Sequence, residues 1–250
     1  MSMNNFLELQ TEREIKLNSG RPFLLVERWS KNSALAVRKF LLKAGVEVNY
    51  LLIIDKLVDI DALERQWSIG RDTKVNLYYL FLQPLKAEIR FIHDIGAGAI
   101  VNSHSLILGN NQDDWRIKAD YNFQDSGSFG RVKVEASLRG QSSLDYAASM
   151  NVSQAAQKSD TRVDMRLYLE ENARGQVTPG LNIAAHDVKA GHSASTFRLA
   201  PEDLFYLQSR GLSLAGIKKM LSLSLAKNFI QGFPDEALSA EVLDLISTNL

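Results

Sequence analysis

Four histidines carry most of the chemistry this sequence offers: His93, His104, His186 and His192. An imidazole is an acid–base group near neutral pH and a common metal ligand. His192 lies in DVKAGHSAST, Asp187 to Thr196, beside a glycine and a run of small hydroxyl residues. His186 and His192 are six apart, an even spacing that places both on one face of an unbroken strand; Gly191 reads as a break in it. His93 and His104 are eleven apart, which favours opposite faces. None has the spacing of an HExxH zinc motif. On residue chemistry alone, His93, His104 and His186 read as strand or surface histidines. His192 reads as one that ends a strand with its ring hydrogen-bonded to backbone.

The other groups exclude more than they offer. Asp113-Asp114 and Glu170-Glu171 are adjacent pairs, so on one strand they point apart and cannot face each other across a substrate. Gly96-Ala97-Gly98 begins like a dinucleotide fingerprint, but Val101 stands where the third glycine is needed. No phosphate-binding loop with Gly-Lys-Ser/Thr and no Gly-x-Ser-x-Gly elbow is present. The chain has no cysteine, which excludes disulfides, thiolate nucleophiles and direct thiolate ligation of a cluster.

Those residues need a scaffold, and the composition supports one. The chain has 250 residues, 45% hydrophobic and 23% charged, with 29 basic and 29 acidic residues. A chain of this size buries roughly 70–75% of the surface it exposes when unfolded. Zero formal charge gives no reason to expect nucleic acid or an anionic membrane. The longest apolar run, Tyr50 to Ile54, is far below the ~20 residues of a membrane span. The N-terminus has no basic-then-apolar leader pattern. The expectation is a cytoplasmic protein.

The elements change character near residue 200. RVKVEASL, Arg131 to Leu138, alternates Val132, Val134, Ala136 and Leu138 with charged or polar residues, the period of a half-buried strand. Similar segments lie at 74–82, 87–95, 99–108, 114–123, 164–171 and 180–190. Turn-formers separate them: Gly96-Ala97-Gly98, Gly109-Asn110-Asn111, Asp125 to Ser128, Arg139-Gly140 and Pro179-Gly180. Few hairpin dipeptides occur, which fits a coiled parallel solenoid better than a sandwich, although repeats of fixed period are faint. SALAVRKFLLKAG (33–45) has helical spacing, VEVNYLLIID (46–55) reads as a strand, and DIDALERQW (59–67) as a helical turn or corner insertion. After residue 200, Pro201 with Glu202 and Asp203 opens a helix that Gly211 ends. Arg210 stands in its last turn. Ser213 caps a second helix, about 214–230, with a stripe of Leu214, Ile217, Met220, Leu221 and Leu225. A third, about 235–247, opens at Pro234-Asp235-Glu236, with Leu238, Val242 and Leu245 as its stripe. The tail has more apolar surface than three short helices hide among themselves, so it must pack on the body or on a partner.

Residues 179 to 212, PGLNIAAHDVKAGHSASTFRLAPEDLFYLQSRGL, resemble the C-terminal signature of the SufB/SufD family, the β-helical subunits of the sulfur-mobilisation system for iron–sulfur cluster assembly. The matching features are Pro179-x-Leu181-x-Ile183, Asp187-Val188-Lys189-x-x-His192, Leu204-Phe205-Tyr206-Leu207 and Ser209-Arg210-Gly211. ADYNFQDSGSFGRV (119–132), SDTRVDMRLYLEENARGQV (159–177) and SIGRDTKVNLYYL (68–80) are similar to the family's repetitive core, so the resemblance runs over about residues 40 to 230. It implies a mainly β fold: a right-handed parallel β-helix with a small α-helical region at its C-terminal end. The resulting division is an N-terminal arm or first strands at 1–40, a β-helix core at 41–200 and a helical ATPase-docking region at 201–250.

The resemblance also implies a role and partners. The chain resembles a SufD-like accessory or scaffold subunit, not an enzyme, that docks a SufC-like ABC ATPase through Leu204, Phe205, Tyr206, Ser209, Arg210 and Gly211. A SufB-like subunit or a second copy pairs with it. That accounts for the missing phosphate loop and the apolar tail. The family's B-type scaffold has glutamate after the histidine and a cysteine upstream; here Ser193 follows, and no cysteine exists. The D-type has a Cys-Ser pair before the histidine and glycine after it; Ala190-Gly191 stands in place of that pair. The chain is nearer the D-type. It is expected to hold no cofactor alone, any iron or iron–sulfur cluster being transient in the complex, with His192 as one metal ligand at a subunit boundary. Two alternatives remain: a structural dimer partner without cluster chemistry, and a carbohydrate-active β-helix protein.

Overall fold

In the computed structural model the described residues are 6–18, 22–29, 35–56, 62–83 and 88–249. Fifteen strands alternate between two parallel sheets. One holds β1 (Phe6–Leu9), β3 (Phe23–Arg28), β5 (Glu47–Ile54), β7 (Lys74–Phe81), β9 (Ile100–Gly109), β11 (Phe129–Leu138), β13 (Asp160–Leu169) and β15 (Lys189–Phe197). The other holds β2 (Glu14–Leu17), β4 (Val37–Leu42), β6 (Ala62–Ile69), β8 (Glu88–Ile95), β10 (Asp114–Phe123), β12 (Ser143–Val152) and β14 (Arg174–Ile183). Each strand pairs with the strand two places on. The chain therefore winds as a parallel β-helix, the fold class expected. Successive coils stack Lys74 beside Ile100 and Phe129 beside Asp160. The first return takes 26 residues and the second 31, and this drift in period is why sequence repetition is faint.

The interior follows from period two. Inward positions of both sheets form one apolar cluster that includes Trp67, Phe91, Trp115, Val134, Met150 and Met165. Aromatic rings stack in the interior of the earlier coils: Phe40 lies on Trp67 with centroids 3.8 Å apart, and Tyr79 on Phe91 at 4.1 Å. Corners use left-handed backbone. Gly140, at φ +70°, lies against Asn111, whose backbone a Cβ there would meet at 3.0–3.2 Å. Outside, asparagines bond from coil to coil, with Asn182 Nδ2 donating to Asn151, Asn151 to Asn122 and Asn122 to Asp94.

Four sequence expectations are corrected. Residues 37–42 form β4 and 62–69 form β6, not helix or corner, because Arg38, Phe40, Leu42, Leu63, Arg65 and Trp67 alternate into the interior; residues 33–34 and 59–61 of those segments lie outside the described residues. The 180–190 segment is not one strand. It is the end of β14, a corner, and the start of β15. Gln157 Oε1 accepts from the backbone N–H of both His186 and Asp187 and turns the chain there. Pro179-Gly180 is therefore no turn but the middle of β14.

Helices α1 (Pro201–Ser209), α2 (Leu214–Ile230) and α3 (Glu236–Thr248) follow β15. The side chain of Ser213 caps α2 at Gly216, that of Asp235 caps α3 at Leu238, and Gly211 at φ +87° follows α1. Ala226, Phe229, Leu238, Val242 and Ile246 form a second core with Leu24, Val26, Leu51, Ile53, Leu80 and Leu106 on the outer face of the first sheet. The tail thus packs on the body. This also explains the Tyr50–Ile54 run: β5 is buried on both faces, so its sequence cannot alternate. The α2 stripe differs from expectation, with Leu214 and Met220 exposed and Ser222, Ala226 and Phe229 buried beside Ile217.

Candidate functional site

Two places on the molecule combine exposed apolar or ligating groups with an incomplete structure: the C-terminal mouth of the β-helix and the outer face of α1. At the mouth, β14 and β15 have no further coil beyond them. His192 pairs in register with the buried Val163, so its side chain points inward, yet it is exposed because nothing covers the last coil. Its Nδ1 lies 3.1 Å from the carbonyl oxygen of Pro179 on the opposite sheet. A carbonyl only accepts, so Nδ1 carries the hydrogen and the Nε2 lone pair is left for a ligand. Metal-bound histidines have this same arrangement, the distal N–H donated to backbone and the other nitrogen on the metal. Gly191 does not break the strand; it pairs with Arg162 inside β15. On the outer face, Asp164 accepts from Arg162 at 2.8 Å and from Ser193 Oγ at 2.6 Å. The Arg162 hydrogen bond holds the Asp164 carboxyl below its usual range despite some burial.

The remaining histidines are placed apart. His186 sits in the corner before β15 and shares no face with His192. His93 faces the interior from β8. Its Nδ1 is 3.0 Å from the Asp120 carbonyl, its Nε2 is 3.1 Å from Tyr79 Oη, and its ring stacks on Tyr121 at 4.2 Å. Burial pushes its pKa down to about 3. His104 faces outward under α2, with Nε2 2.9 Å from Glu135. Opposite faces for His93 and His104 agree with their odd spacing. Among the described residues no three His, Asp or Glu side chains converge as a metal site.

The tail presents the second feature. Phe205 is 75% exposed and Tyr206 57%. Leu204 is half-buried and lines a groove of about 260 Å³ with Leu199, Leu214 and Lys218. Ser209 Oγ donates to the Tyr206 carbonyl, while the Arg210 guanidinium lies 5.3 Å from the Tyr206 ring centroid. Arg210 stands just past the helix as its C-cap rather than in the last turn, and its backbone N–H reaches the last carbonyls. Gly211 completes the exit. The six residues expected to dock an ATPase therefore lie on one short helix and the turn that ends it, and the two aromatics are exposed.

Sequence reasoning missed two ionic clusters. Lys218 of α2 reaches Glu170 and Glu171, both at 2.8 Å; these neighbours converge because Glu171 sits at a corner with φ +53°. Inside the β-helix, Glu27 takes Arg65 and the hydroxyl of Tyr50, with Arg38 3.4 Å away. Burial alone would raise the Glu27 carboxyl; the two guanidiniums outweigh it and hold the pKa below normal. Charged residues at inward strand positions are the signal for such a cluster, and Glu27, Arg38 and Arg65 each hold one.

Comparison with known proteins shows the family. The family model described as "SUF system FeS cluster assembly, SufBD core domain" matches residues 14–224. The chain belongs to this family. Among SufBD relatives, the iron-sulfur cluster assembly protein SufD of Escherichia coli (strain K12) is 29% identical over 151 residues, covering 60% of this chain and 35% of the relative. SufD of Bacillus subtilis (strain 168) is 24% identical over 152 residues, covering 60% and 35%. The chloroplastic protein ABCI7 of Arabidopsis thaliana is 30% identical over 106 residues, covering 42% and 22%. Matches to these SufBD relatives span about a third of their length or less. No helix among the described residues is long and apolar enough to cross a membrane.

Proposed function

We propose that this SufBD-family chain is a SufD-like, non-catalytic accessory subunit in iron–sulfur cluster assembly, working in the cytoplasm. It docks a SufC-like ABC ATPase on α1 and pairs with a second β-helix subunit, SufB-like or its own copy, at the C-terminal mouth. The observation that carries the docking reading is the exposed pair Phe205 and Tyr206. The tail packs Ala226, Phe229, Leu238, Val242 and Ile246 on the first sheet, whereas Phe205 and Tyr206 are its most exposed large apolar side chains among the described residues and face a partner. The ATPase supplies the nucleotide chemistry for which this sequence has no motif.

Deleting the whole tail is a poor test, because it would uncover Leu24, Val26, Leu51, Ile53 and Leu80. The better one is Phe205→Ala with Tyr206→Ala. Loss of ATPase capture at unchanged melting temperature supports the reading, and retained capture overturns it.

His192 offers one imidazole, with its remaining coordination filled by the partner subunit. Iron or a nascent cluster is cargo here, not a resident group. The second reading, a structural partner without cluster chemistry, draws on the absence of cysteine and of a converging ligand set among the described residues. Cluster delivery by a reconstituted complex carrying His192→Ala separates the two. Impaired delivery supports the ligand role; normal delivery supports the structural one.

A further inference from the structure

A cavity of about 60 Å³ lies where the helical tail meets the corners of the body. Its walls come from the corners after β7, β9 and β11, from α2 through Ser222, and from Asn249 at the end of α3. That is room for roughly four to six waters. On one side Arg139 donates to the Asn249 carbonyl at 3.3 Å and ties the end of α3 to the body.

Two hydroxyls on the wall are without partners. Ser137 is 8% exposed and Ser222 is 6% exposed. Neither side chain has a hydrogen-bond partner among the described residues, yet neither oxygen is sealed off, so both open on the cavity. Buried hydroxyls in folded proteins are nearly always bonded, and two that converge unbonded on one space point to something held there. Asp113 adds a third group. One of its carboxylate oxygens accepts from the Asn110 backbone N–H at 2.8 Å, which leaves the other for the cavity. Burial pushes this carboxyl up from its ordinary range, and the Asn110 bond and the Arg139 charge offset that in part.

The lining also decides the class of molecule. Asp113 and Arg139 supply one charge of each sign and the other lining residues supply none. A lone ion would leave water for a wall with no opposite excess to receive it. Leu82 and Leu108, both buried, set hydrocarbon beside the polar groups. Hydroxyls that donate and accept suit two serines and a carboxylate at once, and a short carbon chain suits the leucines.

We propose that this cavity binds a small neutral polyol of glycerol size, with its hydroxyls on Asp113, Ser137 and Ser222 and its carbons on Leu82 and Leu108. Bound there, it touches α2 and the body together and fastens the tail to the β-helix.

Glycerol is the probe, titrated into the full chain and followed by backbone amide shifts, with 1-propanol as the same carbon skeleton carrying one hydroxyl. Saturable shifts at Asp113, Ser137 and Ser222, with glycerol bound about tenfold or more tightly than 1-propanol, support the proposal. Shifts that never saturate mean that water alone fills the cavity, and overturn it. Equal binding of the two alcohols overturns the polar recognition. Ser137→Ala with Ser222→Ala should weaken glycerol by about tenfold or more. Asp113→Asn, which keeps an oxygen for the Asn110 N–H, should weaken it as well and serves if the double variant does not fold. Unchanged affinity in a folded variant overturns the assignment of the site. Hydrogen exchange in α2 tests the fastening. Saturating glycerol should slow it around Ser222 in the wild type and leave the double variant unaffected; binding without slowing overturns the bridge between tail and body.

Discussion

His93 makes the stability of this fold depend on pH in a defined way. The ring is fully buried, donates from Nδ1 to the Asp120 carbonyl, accepts at Nε2 from Tyr79 and stacks on Tyr121. Both nitrogens are satisfied in the neutral tautomer, and a proton on Nε2 would displace the Tyr79 donor inside an apolar core. The folded pKa is accordingly about 3 against an ordinary 6.5. Between those values the unfolded chain binds a proton that the folded chain refuses, so stability falls as pH falls, by about 1.4 kcal/mol per pH unit. The loss is about 2 kcal/mol from pH 6.5 to 5, and on the order of 5 kcal/mol by pH 3. His93→Gln keeps a donor and an acceptor and does not titrate. It should cost roughly 1–3 kcal/mol at pH 7.5 through the lost stack, and that deficit should shrink by about 2 kcal/mol at pH 5. Urea midpoints for both proteins across this range, at constant ionic strength, measure the difference. Parallel pH profiles, or a His93 resonance titrating near 6.5 in the folded protein, would refute the reasoning.

Other parts of the scaffold give equally definite expectations. Glu27→Ala leaves Arg38 and Arg65 buried without their carboxylate and should cost about 3–5 kcal/mol, read as a drop in the urea midpoint; a loss below 1 kcal/mol would mean the cluster is hydrated. Asp235→Ala removes the α3 cap at Leu238 N and should cost about 1 kcal/mol, with hydrogen exchange quickening first at the start of α3. Gly140→Ala forces a side chain into left-handed backbone against Asn111 and should cost on the order of 1–3 kcal/mol. Gly127→Ala, at a similar φ of +73° but in open space, should cost less; equal losses in thermal melts would show that crowding at Asn111 plays no part.

The β-helix was legible because inward and outward positions alternate in most strands from β7 onward, and because helix caps leave short local signatures. The tail was readable at Pro201, Gly211, Ser213 and Asp235. What failed did so for physical reasons. β4 carries Arg38 and β6 carries Arg65 inward, where pattern reading expects apolar residues, and it is Glu27, on another strand, whose carboxylate balances their charge there. Pro179-Gly180 reads as a turn in any sequence window. It is tolerated in β14 because that strand is last and its proline nitrogen faces no partner, and position in the stack is not a local property. Two of the five α2 stripe residues, Leu214 and Met220, were assigned to the wrong side, since an apolar helix on an apolar sheet face leaves little contrast to read.

The same reasoning explains why the candidate sites lie where they do. In a solenoid every inner coil is covered by the next, so its strand edges and inward side chains are committed to the fold. A group inside, such as His93, can be rich in hydrogen bonds and still be closed to ligands. At the C-terminal coil the inward residues have no following layer, and there, among the described residues, His192 lies with Nδ1 against a carbonyl and its other nitrogen unoccupied. Ala190, Gly191, Ser193, Ala194 and Ser195 around it are small and leave the ring exposed. His192 is thus set by fold position rather than by a local motif. If a partner subunit covers the mouth, the imidazole passes from an exposed end to an enclosed boundary, and its ligand chemistry becomes a property of the assembly.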